Sequence, residues 1–190
     1  MSSAETPSSD ESPSPHERPA RQELPTAREV IVSCEDEAAV ARFAQKCAAV
    51  LPSKVMLAID GDLGAGKTTF VKKLAAAVGI NPSEVTSPTF TLVHLHQVPA
   101  QADRPGLPPR LVHIDAYRLT GLDDLATLGW EELVDEDGWL AVEWPERIAA
   151  ALPTERLELH LEITGESARR LHLRATGSAL QKLLADVAAA

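Results

Sequence analysis

The sequence predicts an α/β domain, with a central, mostly parallel sheet flanked by helices and an antiparallel strand pair near the C-terminus. Three observations predict it. Apolar runs at 55–59, 111–114 and 139–142 read as strands buried on both faces, and helical stretches separate them. The first run leads straight into Gly61-Asp62-Leu63-Gly64-Ala65-Gly66-Lys67-Thr68-Thr69, which matches G-x-x-x-x-G-K-[ST]. Val71, Leu74, Ala75 and Val78 then recur at helical spacing. Near the other end, Leu157, Leu159, Leu161 and Ile163 alternate strictly with polar residues, and Leu171, Leu173 and Ala175 do the same. Strand, glycine-rich loop and helix in that order are the P-loop unit, so the expected fold is that of the P-loop NTPases.

Composition narrows the class. A chain of 190 residues suffices for one domain with a sizeable core. A net charge of −10 argues against broad binding to a phosphate backbone, though not against a protein partner that handles RNA. No run of 18 apolar residues is present and the first residues lack an apolar signal core, so no membrane span or secretory signal is expected. Cys34 and Cys47 have no metal-ligand spacing, and Cys47 falls on the apolar face of an expected helix. Buried free thiols in a reducing cytoplasm are the reading.

In chain order, residues 1–27 are rich in Ser, Pro and Glu and nearly devoid of large apolar groups, which reads as a disordered tail. The P-loop domain is expected over 28–176 and a C-terminal helix over 177–190. Val30-Ile31-Val32 is a short strand. A helix is expected from Ser33, with Asp36 as its capping-box partner and Val40, Phe43, Cys47 and Val50 on its apolar face. Gly79 stops the helix that follows the loop. Pro88 fixes a turn in Ser87-Pro88-Thr89-Phe90-Thr91, from which Thr89 and Thr91 alternate with apolar neighbours into a strand. His94 and His96 share one strand face and read as solvent-facing. Residues 99–109, Pro-rich and aperiodic, form a long loop. Two short helices are expected at 122–128 and 130–134, broken at Gly129, and another at 146–152, stopped by Pro153. Leu180, Leu183, Leu184 and Val187 stripe the last helix.

The motifs that carry chemistry converge on the loop. Its glycines adopt angles that a Cβ forbids and point successive N–H groups at a phosphate. Lys67 reaches the β- and γ-phosphates, the Thr68 hydroxyl suits Mg²⁺, and the helix adds its positive dipole end. Two apolar strands end in carboxylates, at Asp115 and at Glu143. In open α/β sheets ligands sit at those strand ends. One carboxylate can serve Mg²⁺ while the other orients water, and the residues alone leave open which does which. The hydroxyl-bearing Ser87-to-Thr91 segment fits a switch that senses the γ-phosphate, and equally a simple turn.

These motifs together resemble one family. Gly61 to Phe70, Ser87-Pro88-Thr89-Phe90-Thr91-Leu92-Val93, His113-Ile114-Asp115-Ala116-Tyr117-Arg118-Leu119 and Val142-Glu143-Trp144-Pro145 are similar, in order and in spacing, to the TsaE (YjeE) family, over about residues 33–176. The resemblance implies a small bacterial ATPase required for threonylcarbamoyladenosine formation in tRNA. Such a protein binds the TsaB–TsaD heterodimer and touches tRNA only indirectly. It further implies that Asp62, Leu63, Gly64, Ala65, Gly66, Lys67, Thr68 and Thr69 bind the ATP phosphates and that Thr68 and Glu143 are the Mg²⁺ ligands. Asp115 matters for hydrolysis together with Lys67 and Glu143, Thr89 lies in the switch-like segment, and Trp144 lies close to the nucleotide. Residues 36–38 and 165–167 are candidates for further nucleotide contacts.

The main rival is a P-loop kinase of a small metabolite. Such enzymes clamp the transferring phosphoryl with lid arginines, for which Arg104, Arg110 and Arg118 give thin support. A GTPase is weaker, because the Asn-Lys-x-Asp motif is absent. A nucleotide-binding scaffold without turnover is the remaining alternative.

Overall fold

A computed structural model describes residues 29–101 and 104–189, so the tail expected over 1–27 lies outside the described residues. Seven strands form one sheet: β1 Glu29–Cys34, β2 Val55–Gly61, β3 Val93–Gln97, β4 Arg110–Asp115, β5 Trp139–Glu143, β6 Arg156–Ile163 and β7 Arg169–Thr176. Their order across the sheet is β1-β7-β6-β2-β5-β4-β3. The helices are α1 Glu37–Val50, α2 Lys67–Ala77, α3 Leu122–Thr127, α4 Trp130–Asp135 and α5 Ser178–Ala189. Among the described residues no helix is long and apolar enough to cross a membrane.

The α/β class holds, but the sheet is mixed rather than mostly parallel. Three neighbouring pairs, β6–β2, β2–β5 and β5–β4, run parallel; three, β1–β7, β7–β6 and β4–β3, run antiparallel. The connections decide this. A parallel pair needs a crossover, usually helical, whereas a returning loop reverses the strand. The described part of 98–109 contains no helix and neither does 164–168, so β4 returns beside β3 and β7 beside β6.

Side chains from successive residues of the central strands go to opposite faces, which is why those strands read as unbroken apolar runs. Leu57, Ile59 and Leu111 join Leu159, Leu171 and Leu173 against α1, α2 and α5. Met56, Val112, Ile114, Leu140 and Val142 meet Leu125, Trp130 and Ile148 on the other side. Full burial of each such side chain contributes about 1.5–3 kcal/mol. The second face is left open over β6 and β7. There Glu158, Glu162, Arg170 and Arg174 stand in the expected polar rows, and Arg170 Nη1 lies 2.9 Å from Glu162 Oε2. Both cysteines are free and buried, as expected, and burial pushes the Cys47 thiol up to about 12.

Several local expectations are corrected. The N-cap of α1 is Asp36, whose Oδ1 accepts from Ala39 N at 2.7 Å; Ser33 lies inside β1. The strand expected from Thr89 begins only at Val93. A turn intervenes, with Leu92 N donating to Pro88 O at 2.6 Å and Leu92 held at φ 67°, outside strand geometry. His94 and His96 are half-buried rather than solvent-facing, and the exposed side chain between them is Leu95. The helix expected at 146–152 is a 3-10 segment, Pro145–Ala151, kinked at Ile148.

Candidate active site

The site forms where β2, β4 and β5 end. In the parallel register Ile59 lies beside Glu143 and Glu143 beside Asp115, so the two strand-end carboxylates are neighbours across one ladder step. Both are only 3% exposed. They border a cleft of about 440 Å³ whose walls include Leu63, Gly64, Gly66, Lys67, Thr68, Thr69, Thr89 and Trp144. Nearly every residue singled out from the sequence therefore shares one cavity. Asp62, on the exposed part of the loop, and Ala65, buried beneath it, complete the loop without lining the cleft.

The loop backbone explains its glycines. Gly61 sits at φ 140°, and a Cβ there would fall 2.5 Å from Leu161 O. Gly66 is the left-handed N-cap of α2 at φ 102°. No side chain caps α2, so its first N–H groups are available to an anion. Lys67 is buried, and its ammonium donates to Gly61 O at 2.6 Å and Asp62 O at 3.0 Å. The same Nζ lies 3.7 Å from the centroid of the Trp144 ring. Burial pushes the Lys67 pKa below its ordinary value, while Glu143, Asp60, Asp115 and Glu146 pull it back up. Trp144 is held at φ 57° and packs on Tyr117 with ring centroids 5.1 Å apart.

The carboxylates have different surroundings. Thr68 Oγ1 donates to Glu143 Oε1 at 2.7 Å. Asp115 is engaged instead by the 87–89 turn: Thr89 Oγ1 donates to Oδ2 at 2.6 Å and Ser87 Oγ at 3.2 Å, while Tyr117 N donates to Oδ1 at 3.0 Å. The turn thus reaches the strand end at Asp115.

The further contact candidates are only partly assembled. Glu37, Glu166 and Ser167 line a smaller hollow of about 300 Å³ on the other side of the loop, against Gly64 and Thr69. Asp36 is occupied as a helix cap. Among the described residues no group of three or more His, Cys, Asp or Glu could hold a metal by itself.

Two residues at the site were given no role in the sequence reading. Arg169 braces the loop from behind, with Nε donating to Ala65 O at 2.8 Å and Nη2 to Gly64 O at 3.2 Å. His113 lies two residues before Asp115 on the same strand side, with Nε2 2.7 Å from Glu143 Oε1. The alternation along β4 was the available signal for His113, since it sets residues 113 and 115 on one face.

A family model described as "Threonylcarbamoyl adenosine biosynthesis protein TsaE" matches residues 34–171. The chain belongs to the TsaE family. Relatives named tRNA threonylcarbamoyladenosine biosynthesis protein TsaE are similar over most of its length. That of Aquifex aeolicus is 37% identical over 147 residues, covering 77% of this chain and 95% of its own. That of Bacillus subtilis is 34% identical over 156 residues, covering 82% and 90%. The crystal structure of YdiB from Bacillus subtilis is similar with a TM-score of 0.68 and 27% identity, covering 86% of this chain and 97% of YdiB. The TsaE motifs read from the sequence, from the 61–70 loop to Val142-Glu143-Trp144-Pro145, lie within the matched span.

Proposed function

We propose that this chain binds MgATP between the 61–69 loop and the ends of β4 and β5 and hydrolyses it. The hydrolysis serves threonylcarbamoyladenosine formation on tRNA in the cytoplasm, through a TsaB–TsaD heterodimer, with tRNA touched only indirectly. The observation that carries this reading is the meeting of Lys67, Thr68, Thr89, Asp115, Glu143 and Trp144 in one cleft.

The loop N–H groups and the α2 N-terminus hold the phosphates. Lys67 leaves the Gly61 and Asp62 carbonyls to pair with phosphate oxygens, and its buried setting strengthens the attraction between the two charges. Thr68 and Glu143 fit Mg²⁺: both offer hard oxygen, and because the hydroxyl gives its proton to Glu143, its lone pairs stay free. Mg²⁺, when bound, neutralises charge on the phosphate oxygens. Asp115 anchors Ser87 and Thr89, which sets the turn beside the γ-phosphate position and orients the attacking water there.

Turnover by the chain alone is slow on this reading. Among the described residues no arginine lines the cleft. Arg118 and Arg147 instead lie over the Phe90 and Tyr117 rings. A charge-stabilising group is then left to partners. The same feature weighs against the small-metabolite kinase, which needs such arginines itself.

Phosphate release from MgATP tests the proposal, measured for the chain alone and with TsaB–TsaD and tRNA. Release that rises with the partners is expected. Flat release, with a small metabolite phosphorylated instead, would replace this reading by the kinase.

A further inference from the structure

We propose that His113 is a positioning residue for the cation site, whose imidazole holds the Glu143 carboxylate in place beside Thr68. This rests on the MgATP reading above and concerns how the ligand carboxylate is aimed.

His113 is fully buried on β4, on the same strand side as Leu111, which packs in the core cluster shared with α2. Its cross-strand partner on β5 is Ala141, whose small side chain leaves the imidazole room to reach diagonally to Glu143. Nε2 lies 2.7 Å from Glu143 Oε1. A carboxylate only accepts, so Nε2 carries the hydrogen and donates. Thr68 Oγ1 reaches the same oxygen, also at 2.7 Å. Both bonds land on Oε1, and among the described residues no hydrogen bond reaches Oε2. The carboxylate is gripped by one oxygen, and the other is left for a ligand.

A histidine kept only for packing does not explain this arrangement. Nδ1 of His113 is buried and has no hydrogen-bond partner among the described residues. An unpaired buried nitrogen is unfavourable, and an apolar side chain would avoid it, as Leu111 does two residues earlier on the same face. The feature that offsets it is the bond to Glu143. Partners of this kind fix the orientation and basicity of a metal-binding carboxylate, and their loss typically lowers metal affinity by about 10–100-fold.

The test is Mg²⁺ dependence of binding, followed by calorimetry with a non-hydrolysable ATP analogue at graded Mg²⁺. His113→Leu removes the donor. His113→Gln carries an N–H close to the position of Nε2, whereas His113→Asn carries one near Nδ1 and cannot reach Glu143. The Leu and Asn variants should need about 10-fold or more Mg²⁺ for half-maximal effect. His113→Gln should stay within about threefold of the wild type, and binding in EDTA should be the same in all. Thermal unfolding in EDTA identifies any variant that does not fold, and if Leu fails the Gln–Asn pair decides. Equal Mg²⁺ requirements for Gln and Asn would overturn the proposal while leaving the MgATP reading intact. A wild type that shows no Mg²⁺-dependent binding would remove both.

Discussion

The two halves of the sheet use side chains in opposite ways. In the centre, β2, β5 and β4 are covered on both faces, so the buried carboxylates, Asp115 and Glu143, come at the strand ends. In the wing formed by β6, β7 and β1, apolar and charged residues alternate and one face stays wet. The wing contributes no residue to the main cleft. Its contribution is mechanical: Arg169 holds the carbonyls of Gly64 and Ala65 and so fixes the back of the loop. On the proposed reading the centre carries reactivity and the wing carries rigidity.

Substitutions should separate the two. Leu159 is wholly buried in the wing, and Leu159→Ala should cost about 2–5 kcal/mol of folding stability in urea titration. Turnover by the folded fraction should survive; a lost rate at unchanged stability would break the division. Lys67→Ala should do the reverse. Removing one preorganised donor costs about 2–4 kcal/mol in the transition state, so phosphate release should fall by about two to three orders of magnitude with little change in melting.

Arg169→Ala should mix the effects, because it joins the halves. It leaves two loop carbonyls without a charged donor, and nucleotide affinity should weaken by about 1–3 kcal/mol, read by calorimetry. Unchanged affinity would make the wing a passive support. The smallest effect concerns His96 on β3. Burial, followed by His113 and His94 nearby, lowers its pKa below the ordinary 6.5. Between 6.5 and the lowered folded value the unfolded chain binds more protons. Stability is therefore present at neutral pH and is lost as pH falls through that window. Urea midpoints at about pH 7.5 and 5.5 should converge in His96→Gln relative to the wild type; an unchanged difference would place the acid sensitivity elsewhere.

What the sequence disclosed follows from what is local. The 61–69 loop, the two acid-tipped strands and the alternation of 157–175 each lie within a short stretch whose period or motif carries the signal. The sense of the sheet was less legible, because it depends on whether a connection crosses over or returns. The strand start at Val93 was hidden because Leu92 takes a left-handed angle that composition does not announce. Arg169 reaches residues 104 and 105 positions earlier in the chain, and His113 touches a carboxylate 30 residues away. Such contacts exist only once the strands are ordered across the sheet.

The measurement that tests the central claim most directly is ATP binding by calorimetry with and without Mg²⁺, for the wild type and for Glu143→Ala. The wild type should bind ATP more tightly with Mg²⁺, and Glu143→Ala should lose most of that gain while still binding in EDTA. A Glu143→Ala protein with unchanged Mg²⁺ dependence would contradict the assignment of β5's terminal carboxylate as a cation ligand.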